Sequence, residues 1–187
     1  MKSKKALLLI DFQKTFRDGS WGISNNEVAE INAARLLNKF RTSGDTEIHV
    51  HHVSEDPTSR FYINSEGVAF HDLLQPIPGE IVVAKSVNSA FINTYLQEIL
   101  TNNGINTLVV AGLTTPHCVS TTTRMAANLG YHTYLIEDAT ASFPLPDHHG
   151  NMIPGQEIQD ISIATLNEEF AKILYTAEAM TIYNEIV

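Results

Sequence analysis

Apolar residues in this chain come in short blocks, and their spacing alternates between strand and helix periods. Ala6–Ile10 is a continuous apolar run, the pattern of a parallel strand covered on both faces. Asn26 is placed to cap a helix whose stripe is Val28, Ile31, Leu36, Leu37 and Phe40, and Gly44 ends it. Glu47–Val53 alternates around Ile48, Val50 and Val53 and predicts a second strand, followed by a loop-rich stretch to Pro78. Ile81–Ala84 predicts a third strand, Thr94–Asn103 a helix closed by Gly104, and Thr107–Ala111 a fourth strand, the most apolar of the set. Thr115–Leu129 predicts a helix ended by Gly130, and Tyr131–Ile136 a fifth strand. Phe143–Gly155 reads as a Pro/Gly-rich loop, Ile158–Phe170 as a helix, and Lys172–Tyr175 as a sixth strand.

Strands alternating with helices predict βαβ units, hence an α/β fold with a mainly parallel sheet between helical layers. In such sheets ligands bind beyond the carboxyl ends of the strands. Polar chemistry stands at three of those ends: Asp11 follows LLLI, Lys85 follows IVVA, and Cys118 follows LVVAG in the stretch GLTTPHCVS. A carboxylate such as Asp11 serves there either as a loop ion pair or cap, or as a catalytic group. Lys85 is either a strand-end lysine reaching water or a cation that holds a carboxylate ionised and lowers a thiol pKa. Cys118 falls at the start of a helix, where the dipole and free N–H groups favour a thiolate. That position favours function over a buried filler.

Bulk properties narrow the partners. The 187 residues suit one domain spanning 1–187, and 43% hydrophobic with 18% charged residues is globular composition. A formal charge of -9 argues against nucleic acid, because no dense basic run offsets it; Lys2, Lys4 and Lys5 form only a short cluster expected to be solvated. The start MKSKKALLLI has basic residues before an apolar run, as a signal peptide does. The run stops at Asp11 with no small-residue cleavage site, so a buried first strand is expected. No apolar stretch is long enough to span a membrane, and the lone cysteine fits a reducing compartment, so the expected location is cytoplasmic. The expected partner is a small molecule. His49 and His51 share one strand face and His52 the other, without a further ligand at metal spacing, so neither a metal nor a cofactor is expected. His117 need not face the adjacent thiol, and His148 and His149 are expected on an exposed loop or pocket rim. Phe16, Trp21, Tyr62 and Phe91 flank these polar positions and suit either a flat apolar pocket or plain core packing.

Three segments, LLLIDFQKTF, VVAKSVNSAF and AGLTTPHCVSTTTRMAANLGYHTYLIEDA, resemble the isochorismatase-like cysteine hydrolase superfamily, which includes nicotinamidases and N-carbamoylsarcosine amidase. The resemblance runs from the first strand to Asp138; the part from Phe143 onward matches loosely. It implies a three-layer, Rossmann-like sheet in the order 3-2-1-4-5-6 and an Asp11–Lys85–Cys118 triad. It also implies a cis peptide between Leu113 and Thr114, an oxyanion hole from the N–H groups of Thr114 and Cys118, and a homo-oligomer, dimer or tetramer. The stretch HHVSEDPTSRFY lacks the Asp-x-His-x-x-x-His metal motif of nicotinamidases, which disfavours nicotinamide as substrate. A cysteine nucleophile leans towards cleavage of an amide or carbamoyl C–N bond through a thioester. The alternatives are vinyl-ether hydrolysis of the isochorismatase type, a redox-sensing thiol, and a small-molecule-binding protein without catalysis.

Overall fold

A computed structural model describes residues 4–186. Lys2 lies outside the described residues. In chain order the elements are β1 (Lys4–Ile10), α1 (Ala29–Ser43), β2 (Thr46–His52), β3 (Ile81–Lys85), α2 (Leu96–Asn102), β4 (Ile105–Leu113), α3 (Ser120–Asn128), β5 (His132–Ala141), the short pair β6 (Leu145–Pro146) and β7 (Met152–Ile153), α4 (Gly155–Leu166), β8 (Lys172–Leu174) and α5 (Thr176–Thr181). Six strands form one parallel sheet in the order β3-β2-β1-β4-β5-β8, which is the expected order with β8 as the sixth strand.

The layers follow from strand periodicity. Leu7 and Leu9 of β1 face one core, with Leu36, Leu37 and Phe40 of α1 and Ala179 of α5. Ala6, Leu8 and Ile10 face the other, with Leu96 and Leu100 of α2, Ala126 of α3 and Leu166 of α4. A strand apolar on both faces thus becomes the centre of the sheet, as the unbroken run Ala6–Ile10 requires.

Several elements differ from expectation for local reasons. The buried stripe of α1 is Ala29, Ala33, Leu36, Leu37 and Phe40, whereas Val28 and Ile31 are exposed. Val28 precedes the first turn, and Ile31 lies about half a turn from Ala29. Asn26 does not cap α1 directly. Its Oδ1 accepts the Val28 N–H, and its Nδ2 donates to the carbonyls of Asp138 and Thr140, tying the helix entry to β5. α4 begins at Gly155 rather than Ile158; the chain packs so closely on the segment just after β5 that a Cβ at Gly155 would lie 2.9 Å from the Ser142 carbonyl oxygen. It ends at Leu166 rather than Phe170, where Glu168 turns the chain with φ 62. α5 was not anticipated. Lys5, expected in water, is buried with its ammonium on the Tyr183 carbonyl and ring. Among the described residues no helix is long and apolar enough to cross a membrane.

The two central strands approach closely at Gly112. A Cβ there would meet the Ile10 carbonyl oxygen at 2.4 Å and the Ile10 Cβ at 2.7 Å. Backbone, not a flexible side chain, blocks it. Gly112→Ala is therefore expected to destabilise the fold by roughly 3 kcal/mol, read as a lowered urea midpoint. An unchanged midpoint would show that β1 and β4 part easily at this end.

Candidate active site

The ends of β1, β3 and β4 converge on one buried point. Asp11 is the residue after β1. Its backbone N–H donates to the Val50 carbonyl at 2.8 Å, and its φ of 52 lies in the left-handed region, which Asp tolerates better than most residues. Lys85 ends β3. Cys118 lies in a π-helical turn, Thr115–Val119, that joins β4 to α3. The peptide bond between Leu113 and Thr114 is cis. Exposures are 0% for Asp11, 2% for Lys85 and 7% for Cys118, so the sulfur is the member nearest to solvent.

The ammonium is the hub. Lys85 Nζ donates to Asp11 Oδ2 at 2.7 Å and to Cys118 Sγ at 3.2 Å, and it lies 3.1 Å from His52 Nδ1. A carboxylate oxygen of Asp11, a ring nitrogen of His52 and the Cys118 sulfur lie within 4.8 Å of one another, a set of metal-ligand type. The cation these groups surround is the Lys85 ammonium itself.

Charge balance decides which acid is ionised. One buried ammonium neutralises one anion, and a carboxylic acid is ordinarily about 4–5 pKa units stronger than a thiol. The negative charge therefore rests on Asp11. Burial, then the Asp11 charge, pushes the Cys118 thiol up to about 12, against the downward pull of Lys85. This corrects the expectation of a resting thiolate: desolvation of a sulfur that is 7% exposed outweighs the helix start and the lysine. Burial also raises the Asp11 carboxyl, opposed by the charge and hydrogen bond of Lys85. A raised carboxyl is a better proton acceptor. Asp11 Oδ1 is buried with no hydrogen-bond partner among the described residues, which leaves an acceptor atom open beside the thiol.

The remaining expected residues divide. Phe16 and Trp21 pack together at 4.7 Å, joined by Phe61 and Phe143. Trp21, Thr114, Pro116, His117, Phe143 and Leu145 line a narrow crevice. Tyr62 accepts a hydrogen bond from Asn64 at its hydroxyl, and its neighbour Phe61 is the ring that joins the cluster. Phe91 packs in the same core as Cys118, stacked on Tyr131. His117 Nδ1 pairs with Thr114 Oγ1 at 2.9 Å, and burial lowers its pKa. His49 binds Glu80, and the His49 and His51 rings both rest on Phe70. The His148 and His149 rings meet at a tilt in the exposed turn between β6 and β7.

Phe61, Phe143, Gln13 and His52 were not foreseen as part of this region. His52 was within reach of the strand-end rule, since it ends β2 between the ends of β1 and β3. Phe61 and Phe143 sit on loops and carried no such signal.

A doubly wound parallel sheet with this polar centre at its strand ends defines an isochorismatase-like α/β protein. The "Isochorismatase domain" family model matches residues 5–178, and the chain belongs to the isochorismatase family of hydrolases. It is similar to the "Uncharacterized isochorismatase family protein YrdC" of Bacillus subtilis (strain 168), with 48% identity over 176 residues, 94% of each chain. A solved structure of a putative hydrolase of the isochorismatase family from Chromobacterium violaceum superposes with a TM-score of 0.94 at 40% identity, covering 98% of this chain and 95% of that one. "Ureidoacrylate amidohydrolase RutB" of Agrobacterium fabrum is 43% identical over 72 residues, 38% of this chain and 32% of that protein.

The charge balance makes an unusual forecast for Asp11→Asn. With the carboxylate gone, the thiolate becomes the one anion that can pair with Lys85, so the thiol pKa falls. Iodoacetamide should label Cys118 about tenfold faster or more at neutral pH in the variant than in the wild type, read by mass spectrometry. Slower labelling would contradict the placement of the negative charge on Asp11.

Proposed function

We propose that this protein is a cysteine hydrolase that cleaves an amide or carbamoyl C–N bond of a small molecule through a thioester, with Asp11, Lys85 and Cys118 as its catalytic residues. The observation that carries the proposal is the grouping of a thiol, a carboxylate and an ammonium in one buried contact set, with the sulfur nearest to solvent. The local similarity to a protein named an amidohydrolase supports the bond type.

The cycle moves one proton back and forth without changing the charge of the site. Asp11 takes the Cys118 proton, and the sulfur attacks the carbonyl carbon. The backbone N–H groups of Thr114 and Cys118 receive the oxyanion, each a donor whose loss typically costs about 3 kcal/mol. The protonated Asp11 returns its proton to the leaving nitrogen, the C–N bond breaks, and a thioester remains. Asp11, again a carboxylate, takes a proton from water; the hydroxide adds to the thioester, and the acid product leaves with the thiol restored. Lys85 offsets the anion wherever it stands. Phe16, Trp21, Tyr62 and Phe91 are proposed as pocket walls for a small, flat substrate. The raised thiol pKa weighs against a redox sensor, since oxidation follows thiolate character.

A panel of small amides, ureas and carbamoyl compounds, run on wild type, Cys118→Ser and Asp11→Asn, tests the proposal. At least one compound should be turned over by the wild type, with kcat reduced at least about a thousandfold in both variants. The Asp11→Asn loss is expected even though its thiol labels faster, because the leaving nitrogen then lacks its acid. Full activity in Cys118→Ser, or pyruvate release from a vinyl ether with no amide cleaved, would overturn the reading.

A further inference from the structure

We propose that His52 is a positioning residue for the catalytic ammonium: it balances the pull of Asp11 on Lys85 and so keeps one N–H directed at the sulfur. The inference rests on the triad reading above and adds a fourth member to it.

An ammonium has three N–H groups. Around Lys85 Nζ stand three acceptors, Asp11 Oδ2 at 2.7 Å, His52 Nδ1 at 3.1 Å and Cys118 Sγ at 3.2 Å. They are unequal. The charged carboxylate is the strongest acceptor and the sulfur the weakest. Held by Asp11 and Cys118 alone, the ammonium is drawn towards the carboxylate, and one of its N–H groups is left buried without a partner. His52 supplies that third acceptor. It must do so as a neutral ring with the proton on Nε2, since Nδ1 faces a cation. Burial and then the Lys85 charge hold its pKa down at about 4, in keeping with that form.

The ring is held from two sides. Gln13, itself 1% exposed, clamps the His52 backbone: its Oε1 accepts the His52 N–H at 2.9 Å, while its Nε2 donates to the His52 and Val68 carbonyls at 2.9 and 2.8 Å. Phe61 stacks on the imidazole with centroids 4.6 Å apart. Of the three histidines on β2, His49 and His51 project from the opposite face onto Phe70, so His52 alone reaches the lysine. A cluster in which every proton of the hub has an assigned acceptor orients the lysine without ambiguity.

Two variants separate this role from packing. His52→Asn places an oxygen near the position of Nδ1 but gives up the stack on Phe61. His52→Phe keeps the stack and gives up the acceptor. Iodoacetamide labelling of Cys118, the only cysteine, reads the lysine's effect on the sulfur without any substrate. Labelling at a fixed alkaline pH should stay within about twofold of wild type in His52→Asn and fall at least about fivefold in His52→Phe, with urea midpoints showing both folded. Where a substrate is in hand, kcat should follow the same order with KM nearly unchanged. Equal rates in both variants, or a loss confined to His52→Asn, overturn the proposal. Should His52→Phe fail to fold, His52→Leu removes the acceptor in its place. If the wild type cleaves no amide while the labelling order holds, the hydrolase reading fails and the positioning role of His52 stands.

Discussion

The buried positive charge of Lys85 governs the candidate active site. Lys85 sits under the ends of β1, β2 and β4 with almost no access to water, and two acids stand against it. Burying an unpaired ion costs several kcal/mol, so the site carries one anion at a time. Which acid holds that charge separates the resting protein from the reacting one. At rest it is Asp11. In the proposed cycle it passes to the sulfur during attack, and the proton the thiol gives up waits on Asp11. The proposed mechanism therefore needs no large change of charge or solvation to generate a nucleophile.

The fold exists around that point in a literal sense. Parallel strands bring their carboxyl ends to one edge of the sheet, and the central pair β1 and β4 touch closely enough at Gly112 to exclude any side chain there. This closeness brings the residue after β1 and the turn after β4 together against the lysine that ends β3. The end of β2, one strand over, contributes His52 by the same geometry. The aromatic group around Phe16, Trp21, Phe61 and Phe143 stands beside the turn that carries the thiol, and Trp21 and Phe143 share a crevice with Thr114 and His117.

The sheet could be read from the chain because apolar runs such as Ala6–Ile10 admit one environment only, a strand covered on both faces. Asp11 and Lys85 were visible for the same reason, as polar residues at the ends of apolar strands, and Cys118 as the thiol of the turn after β4. What escaped was set by tertiary contact. The apolar spacing points to Val28 and Ile31, whereas the buried face of α1 carries the smaller Ala29 and Ala33, whose burial depends on contact with the sheet. Gly155 read as loop, though it opens α4 and packs against the backbone of Ser142 and Phe143 just after β5. The state of the thiol was misjudged because burial of Cys118 has no signature along the chain, and desolvation overrides the local pull of a helix start. His52 was weighed as a metal ligand among neighbouring histidines, and its true partner lies on another strand.

The most direct measurement is an ultraviolet titration of the Cys118 thiolate, taken as the difference between wild type and Cys118→Ala. Essentially no thiolate signal should be present at neutral pH, with ionisation developing only above about pH 9. A complete thiolate signal at pH 7 would mean that the ammonium is paired with sulfur at rest, and that Asp11 is not where the negative charge resides.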